Sequence, residues 1–289
     1  MRDMTKNVDE AIWALTEKPL FATSFERIKI MKELASSHKD LPQPARFSRL
    51  FAMLLERVSL PLEDHDILAG RYIDKELNES EEAEYRAFLR DPERLYHRIF
   101  LSSGHATYSW EMLVDEGLTS LRAKVLREAE RCTDEDKKIF FLSIAEVYGA
   151  IISFMERYAD EAEARGMIET AENLRGATAR PESFASALQL LWIVAFINCA
   201  YITGNPTLTL GRLDRILYPL YLADIEKGVL TRERAKEYIT DYYCKHNLIM
   251  GRGEHQVGDG ENSTTFDRIL NFDAPQYLML AGSDENGNS

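Results

Sequence analysis

The segment Phe184 to Tyr201, FASALQLLWIVAFINCAY, is the most apolar stretch of the chain and carries no charged residue. A helix that is apolar on all sides has to be buried in a protein core or in a membrane. The longest apolar part, Leu190 to Ile202, covers about 13 residues and includes Asn198, whereas a bilayer span needs roughly 20. We therefore predict a buried core helix here and no membrane contact.

Helical periodicity also dominates the chain on either side of this segment. The apolar residues of segment 134–165 recur along one side of a helix, and segment 110–131 is its predicted antiparallel partner. Further helices are predicted at 24–37, 44–55, 79–89, 213–225 and 232–250, with the acidic helix 79–89 exposed. Only segments 207–210 and 276–281 have the pattern of strands. The predicted fold class is mostly α with few short strands, in a single unit that covers residues 1–289.

The chain is acidic, with 48 Asp and Glu against 35 Lys and Arg and a net charge of −13 among 289 residues. Nucleic-acid binding needs clustered positive charge, so this balance argues against it. The three cysteines, Cys132, Cys199 and Cys244, are widely separated and form neither a disulfide framework nor a zinc spacing. Together with the absence of an apolar leader sequence, this pattern predicts a cytoplasmic protein.

Two histidines near the C-terminus raise the question of a metal site. His246 and His255 would share a metal ion with Glu254 or Asp259, because imidazole and carboxylate are common ligands. A third ligand at a defined spacing is missing, so surface histidines are the simpler interpretation. We predict no metal site, and an all-helical metal-dependent hydrolase or lyase ranks last among the candidate functions.

Two polar segments are candidate binding sites. His105 follows Gly104 in a loop before a predicted helix, where it would either contact a substrate or cap the helix. Farther along, Thr207 and Thr209 lie on the same side of an extended stretch. Physical reasoning from these residues alone does not decide between a binding role and a structural one.

Arg212 and Asp214 open the helix that follows the two threonines. The structural interpretation is that Asp214 stabilises the positive end of the helix dipole and that Arg212 pairs with a carboxylate. Both residues are therefore candidates for a structural motif beside the polar segment.

Four segments, in their order along the chain, resemble the glycyl radical enzymes, the pyruvate formate-lyase-like family. Gly104-His105 before a helix is similar to the family's Gly-His segment. Residues 181–192 are similar to its Phe-x-x-Ala-x-Gln-x-x-Trp helix, and residues 210–221 match its Gly-Arg-x-Asp-x-x-x-Tyr-Pro pattern. Residues 273–287 resemble the segment that leads into the family's catalytic half.

The resemblance covers only the front of the family's pattern. Family members are more than twice as long and carry a radical glycine in an Arg-Val-x-Gly-aromatic motif and a thiyl-forming cysteine in a Gly-Cys or Cys-Cys context. Here Arg57-Val58-Ser59 is followed by Leu60, and none of the three cysteines has that context. We therefore expect a truncated, helical N-terminal part of a glycyl radical enzyme α/β barrel that lacks a catalytic residue and is inactive alone.

The resemblance also assigns roles to residues of the polar segments. Arg212 and Asp214 belong to the structural motif. The sequence departs from many dehydratases of the family at Ser109-Trp110 and at residues 203–206, so no particular substrate is assigned. The residues that the resemblance places in the substrate pocket are His105, Thr203, Asn205, Thr207 and Thr209.

Cofactor and partners are likewise implied by the family. We expect no cofactor bound by this chain, a glycyl radical in the intact enzyme, a small-molecule substrate, a radical-SAM activating enzyme and a role in anaerobic metabolism. An interrupted barrel leaves a strand edge unpaired, so we expect a homodimer or a poorly ordered C-terminus. The alternative function is a non-catalytic helical binding or interaction protein derived from the same family.

Overall fold

The computed structural model describes residues 3–16, 22–72, 75–90, 106–202, 207–249, 276–280 and 282. Helices account for most of these residues, as predicted. The α-helices are α1 Thr5–Thr16, α2 Ala22–Leu34, α3 Gln43–Arg57, α4 Glu79–Arg90, α5 Trp110–Arg131, α6 Glu135–Ala164, α7 Ile168–Thr178, α8 Phe184–Ile197, α9 Leu213–Glu226 and α10 Arg232–Ile249. A π-helix, Asn198–Ile202, directly follows α8, and the strands are β1 Ala106–Thr107, β2 Leu208–Gly211 and β3 Gln276–Leu278.

Helix α8 is the centre of the core, which confirms the prediction from its composition. All of its residues are buried except Ala185. Its first turn is closed by a reciprocal cap, in which the Ser183 hydroxyl accepts from the Ser186 amide at 3.1 Å and the Ser186 hydroxyl accepts from the Ser183 amide at 3.3 Å. The helix therefore begins after Ser183, where the two serine hydroxyls accept hydrogen bonds from backbone amides that have no partner within the helix.

Two helices of the described ranges are long and apolar enough to cross a bilayer by length and composition alone, α6 and α8 with its π-helical extension. This is weak evidence for a membrane span, because the core helix of a soluble protein passes the same test, and 83% of the apolar window of the α8 segment is buried. In α6 the corresponding share is 28%, and its apolar side chains lie against a cavity described below.

Helices α5 and α6 are the predicted antiparallel pair, and α6 also packs against α3 and α7. The Asp134 carboxylate caps α6 by accepting from the Lys137 amide at 3.1 Å. Helix α5 is kinked at Gly117, where φ is +73°. A Cβ atom at this position would lie 2.2 Å from the backbone of Ala179, so only glycine permits the close approach of the segment before α8.

The three strands form a parallel sheet in the order β1-β2-β3. Ala106 pairs with Leu208 and Thr107 with Thr209, and the register of β2 and β3 shifts between Thr209 and Gly211. The predicted strands β2 and β3 are confirmed, although β3 is shorter than predicted. Strand β1 is too short to show an alternating pattern and was not predicted.

Helices α1 and α7 are also absent from the prediction. Helix α7 buries Thr170, Ala171, Leu174 and Ala177, and one leucine among small or polar side chains gives little periodic hydrophobic signal. The acidic helix α4 is exposed along most of its length, as predicted, but Tyr85 is buried against Phe25 with ring centroids 6.0 Å apart.

Candidate functional site

The candidate site is one face of the parallel sheet, which carries Thr107 and Thr209. Register places Thr107 beside Thr209 on the same face, because side chains of paired residues project together. Thr207 lies two residues before Thr209, directly before β2 begins. Thr107 is exposed, Thr209 is half-buried and Thr207 is buried. Two of the predicted pocket residues thus lie together, and Thr107 joins them as a residue that the sequence analysis missed.

The other face of the sheet packs on the helical core. Leu208 and Leu210 alternate with the threonines and are both buried. The indole of Trp110 donates a hydrogen bond to the Thr209 carbonyl at 2.8 Å, and Tyr108 packs edge-on against the same indole at 5.3 Å. The aromatic pair before and within the first turn of α5 therefore holds β2 in place.

Arg212 and Asp214 form the connection between the sheet and α9. Arg212 donates to both carboxylate oxygens of Asp214, from Nε to Oδ1 at 2.8 Å and from Nη2 to Oδ2 at 3.0 Å. Its Nη1 also donates to the Gly282 carbonyl at 3.3 Å, beyond the end of β3. These hydrogen bonds to the Asp214 carboxylate raise the pKa of the Arg212 guanidinium. Such a bidentate pair fixes orientation as well as distance.

The other predicted pocket residues, His105, Thr203 and Asn205, lie outside the described residues. The same is true of His255, Glu254 and Asp259 from the weighed metal site. Within the described ranges, no group of three His, Cys, Asp or Glu side chains is placed to hold a metal ion.

The interpretation of His246 as a surface histidine is wrong. Its residue exposure is 3%, and its ring packs edge-on against Trp192 at 4.9 Å and Tyr242 at 4.5 Å. Burial lowers the pKa of His246 to about 3, so the ring is neutral. Both of its nitrogens and the Tyr242 hydroxyl lack a hydrogen-bond partner among the described residues. The apolar neighbours come from α8 and α10, and the spacing of His246 in its own helix does not reveal them.

Two residues of the α8 motif, Gln189 and Trp192, hold a neighbouring loop. The Gln189 amide accepts from the Ala69 amide at 2.8 Å and donates to the Ala69 carbonyl at 3.0 Å. Trp192 donates to the Gly70 carbonyl at 2.8 Å, and Gly70 has a φ of +104°. A Cβ on Gly70 would lie 2.8 Å from the indole nitrogen, so the contact requires glycine.

A buried charge cluster, formed by Asp66, Arg71 and Lys245, lies between the same loop and α10. Asp66 accepts from Lys245 at 2.8 Å and from two nitrogens of Arg71 at 2.7 and 3.0 Å. Burial opposes ionisation of Asp66, but the two cations outweigh it and hold the pKa of this carboxyl well below its ordinary value. The pairing shows no local sequence signal, because Asp66 and Lys245 are 179 residues apart.

Asp241 extends this network to the N-terminal helix. Its carboxylate accepts from the Leu68 amide at 2.8 Å, the Ile67 amide at 3.2 Å and the Asn7 side chain at 2.7 Å. Burial raises the pKa of Asp241 above its usual range. Helices α1 and α10 and the loop between α3 and α4 are therefore joined by polar contacts.

The fold and its sheet place this chain among proteins with a helix-covered parallel-sheet core. The structure matches a glycyl radical enzyme from Archaeoglobus fulgidus with a TM-score of 0.73 and 17% identity, over 98% of this chain and 44% of that one. It matches the B12-independent glycerol dehydratase from Clostridium butyricum with a TM-score of 0.73 and 16% identity, over 100% of this chain and 44% of that one.

The sequence comparison shows the family. The profile described as "Pyruvate formate lyase-like" matches residues 98–266, more than half of the chain, and the chain belongs to this family. It is 26% identical over 196 residues to the isethionate sulfite-lyase of Bilophila wadsworthia, covering 59% of this chain and 24% of the relative. It is 28% identical over 162 residues to the trans-4-hydroxy-L-proline dehydratase of Clostridioides difficile, covering 50% and 20%. The chain therefore spans less than half the length of each of these relatives.

Proposed function

We propose that this chain is the N-terminal part of a cytoplasmic glycyl radical lyase or dehydratase of anaerobic metabolism, folded as one unit over residues 1–289. The observation that carries the proposal is the parallel sheet, which brings Thr107 and Thr209 onto one face beside the Arg212–Asp214 pair. The family match and its lyase and dehydratase relatives support the same reaction class.

In this proposal the threonine face is part of the pocket for a small-molecule substrate. Thr207 and Thr209 supply hydroxyls, which both donate and accept hydrogen bonds, and His105, Thr203 and Asn205 complete the set. Arg212 and Asp214 position β2 and do not touch the substrate. The chain itself binds no cofactor.

The radical chemistry requires two groups that this chain lacks. A backbone radical stored on glycine has to be handed to a cysteine, which abstracts a hydrogen atom from the substrate. Cys199 and Cys244 are buried, and burial raises the pKa of the Cys244 thiol to about 11. No cysteine has the Gly-Cys or Cys-Cys context, and no Arg-Val-x-Gly motif is present. The chain is therefore inert alone and acts with a catalytic part that a radical-SAM enzyme activates.

The test is reconstitution with a chain from the same genome that carries both motifs, together with its activating enzyme and a reductant. We expect no glycyl radical signal in electron paramagnetic resonance from this chain alone, and a signal with turnover from the combination. Thr209→Val should lower kcat/KM about tenfold without reducing the radical signal, because it removes one hydroxyl. A radical signal from this chain alone, or an equal kcat/KM for the variant, would contradict the proposal.

A non-catalytic binding protein derived from the same family is the second candidate. It is favoured by a large apolar cavity in the helical part of the chain, which lies apart from the threonine face. Failure of every reconstitution, together with a stable and monodisperse chain that binds small molecules, would support this candidate.

A further inference from the structure

A cavity of about 610 Å³ lies between α3, the first half of α6, the start of α5 and the end of α8. Its volume is in the range of small-molecule binding sites. The described residues of the candidate substrate site, Thr107, Thr207 and Thr209, do not line it.

The wall of the cavity is mainly apolar. The stacked rings of Phe47 and Phe51, with centroids 6.5 Å apart, form one side. Across the cavity lie Ile144, Val147 and Ile151 of α6. An apolar wall of this kind offers a water molecule few hydrogen-bond partners, so apolar atoms of a ligand displace water favourably.

Charge is nearly absent from the wall. Arg46 is the single charged side chain among the lining residues, and it donates to the carbonyls of Ser37 at 3.1 Å and Ala35 at 2.7 Å. Ser143 donates to the Ile139 carbonyl at 2.7 Å, within its own helix. Because no carboxylate lines the cavity and its one cation is engaged, the wall suits an uncharged molecule.

One end of the cavity is polar. The Tyr108 hydroxyl donates to Oδ1 of Asn198 at 2.7 Å. Asn198 is 2% exposed, and the acceptor that the structure shows for its Nδ2 is the weakly accepting Sγ of Cys199, at 3.8 Å. An amide nitrogen has two hydrogens, so within the described ranges one donor of this buried side chain has no acceptor and is left for a ligand.

The backbone at this end is also unusual. Asn198 begins the π-helix that directly follows α8. π-Helical turns are rare and are frequently found at functional sites. At the mouth, Phe140 is 50% exposed and Met112 is 39% exposed, so two large apolar side chains border an open entrance.

We propose that this cavity binds a neutral, mainly apolar molecule, an aromatic or branched aliphatic alcohol, phenol or ketone whose oxygen accepts a hydrogen bond from Asn198. The ring or hydrocarbon part lies between the Phe47–Phe51 pair and the apolar face of α6. The proposal is independent of the radical chemistry, because it concerns a different set of residues.

The probe for the test is 2-naphthol, with 2-methylnaphthalene as the match without an oxygen and 2-naphthoate as the charged match, each titrated by fluorescence. We expect saturable 1:1 binding of 2-naphthol, about three- to tenfold weaker binding of 2-methylnaphthalene, and at least tenfold weaker binding of 2-naphthoate. Absence of saturable binding of 2-naphthol, or equal affinity for 2-naphthoate, would overturn the proposal.

Variants locate the site. Val147→Trp fills the cavity and Met112→Trp narrows its mouth, and each should weaken 2-naphthol binding at least tenfold. Leu142→Trp is the matched control on the exposed side of α6 and should leave binding unchanged, since Leu142 does not line the cavity. Asn198→Leu should abolish the preference for 2-naphthol over 2-methylnaphthalene.

Circular dichroism and the melting temperature establish that each variant is folded before its affinity is compared. Val147→Trp on α6 and Met112→Trp on α5 alter different parts of the cavity. If one variant fails to fold, the other still tests the proposal. Undiminished binding by a folded Val147→Trp or Met112→Trp chain would place the probe elsewhere and overturn the proposal.

Discussion

The buried charge cluster and the apolar cavity are two interior regions of opposite character. Around Asp66, charged and polar groups of α1, of α10 and of the loop between α3 and α4 form hydrogen bonds of 2.7 to 3.2 Å. Between α3 and α6, apolar side chains leave about 610 Å³ unfilled. Substitutions in the charge cluster should lower the free energy of unfolding strongly, because each buried charge needs its partner. Substitutions at the cavity wall should lower it less, because the side chains there already lack close neighbours.

The largest expected effect on the free energy of unfolding comes from truncating an isoleucine that is fully buried in the core. Ile193→Ala, in the buried centre of α8, should lower the free energy of unfolding by about 4 kcal/mol, since it leaves a cavity. Ile144→Ala, at the wall of the existing cavity, should cost about 1 kcal/mol because the side chain is half-buried. Urea unfolding measures both, and equal losses would show that the cavity wall is packed as tightly as the centre of α8.

A loss of about 3 kcal/mol is expected from Lys245→Met. The substitution keeps most of the side-chain volume but leaves the buried Asp66 carboxylate with Arg71 as its remaining cation. The control is Lys137→Met, because Lys137 and Asp134 form an exposed pair at 3.7 Å whose removal should change the free energy of unfolding by less than about 0.5 kcal/mol. A similarly small effect at Lys245 would show that the cluster contributes little.

The pH dependence of stability should report on the buried His246. The ring binds a proton at a pKa near 6.5 in the unfolded chain but only at about 3 in the folded one, so protons favour the unfolded state between these values. Wild type should therefore lose about 2 kcal/mol more than His246→Leu between pH 7 and pH 5.

Urea unfolding at both pH values measures this difference. The control is His38→Asn, at a position with a φ of +53° that asparagine tolerates, and it should lose as much stability as wild type. A His246→Leu chain with the wild-type pH dependence would show that folding does not lower the pKa of His246.

The smallest expected effect is a gain from filling the cavity. Val147→Ile adds one methylene at the half-buried wall and should raise the free energy of unfolding by about 0.5 kcal/mol. Val229→Ile is the matched control, because Val229 is exposed and the added methylene stays in water. A loss of stability at Val147 would show that the cavity wall is tightly packed.

Local patterns predicted most of the helical architecture. Helices α5, α6, α8, α9 and α10 begin and end within a few residues of the predicted bounds, because each has a long apolar pattern. The side chains of Asp134, Ser183 and Thr231 also cap the first turns of α6, α8 and α10. Helix α7 was missed because Leu174 is the one large apolar side chain on a buried face otherwise built from alanine and threonine. Strand β1 was missed because two residues are too few to show alternation.

At the candidate site the sequence placed two threonines on one side of a strand, and it predicted a carboxylate partner for Arg212. It did not identify that partner as Asp214, nor add Thr107 to the threonine face, because the pairing of β1 with β2 joins residues about 100 positions apart. The spacing of Gln189 and Trp192 in the sequence likewise does not predict that they hold the loop at Ala69 and Gly70.

The sequence by itself determined the class of fold, the central buried helix and the family, since periodicity and ordered motifs are properties of neighbouring residues. Tertiary structure alone decided which charges meet in the core, that His246 is buried and neutral, and where the interior is left unfilled. The physical reason is that burial and electrostatic pairing depend on distances in space, and folding brings together residues such as Asp66 and Lys245, 179 positions apart.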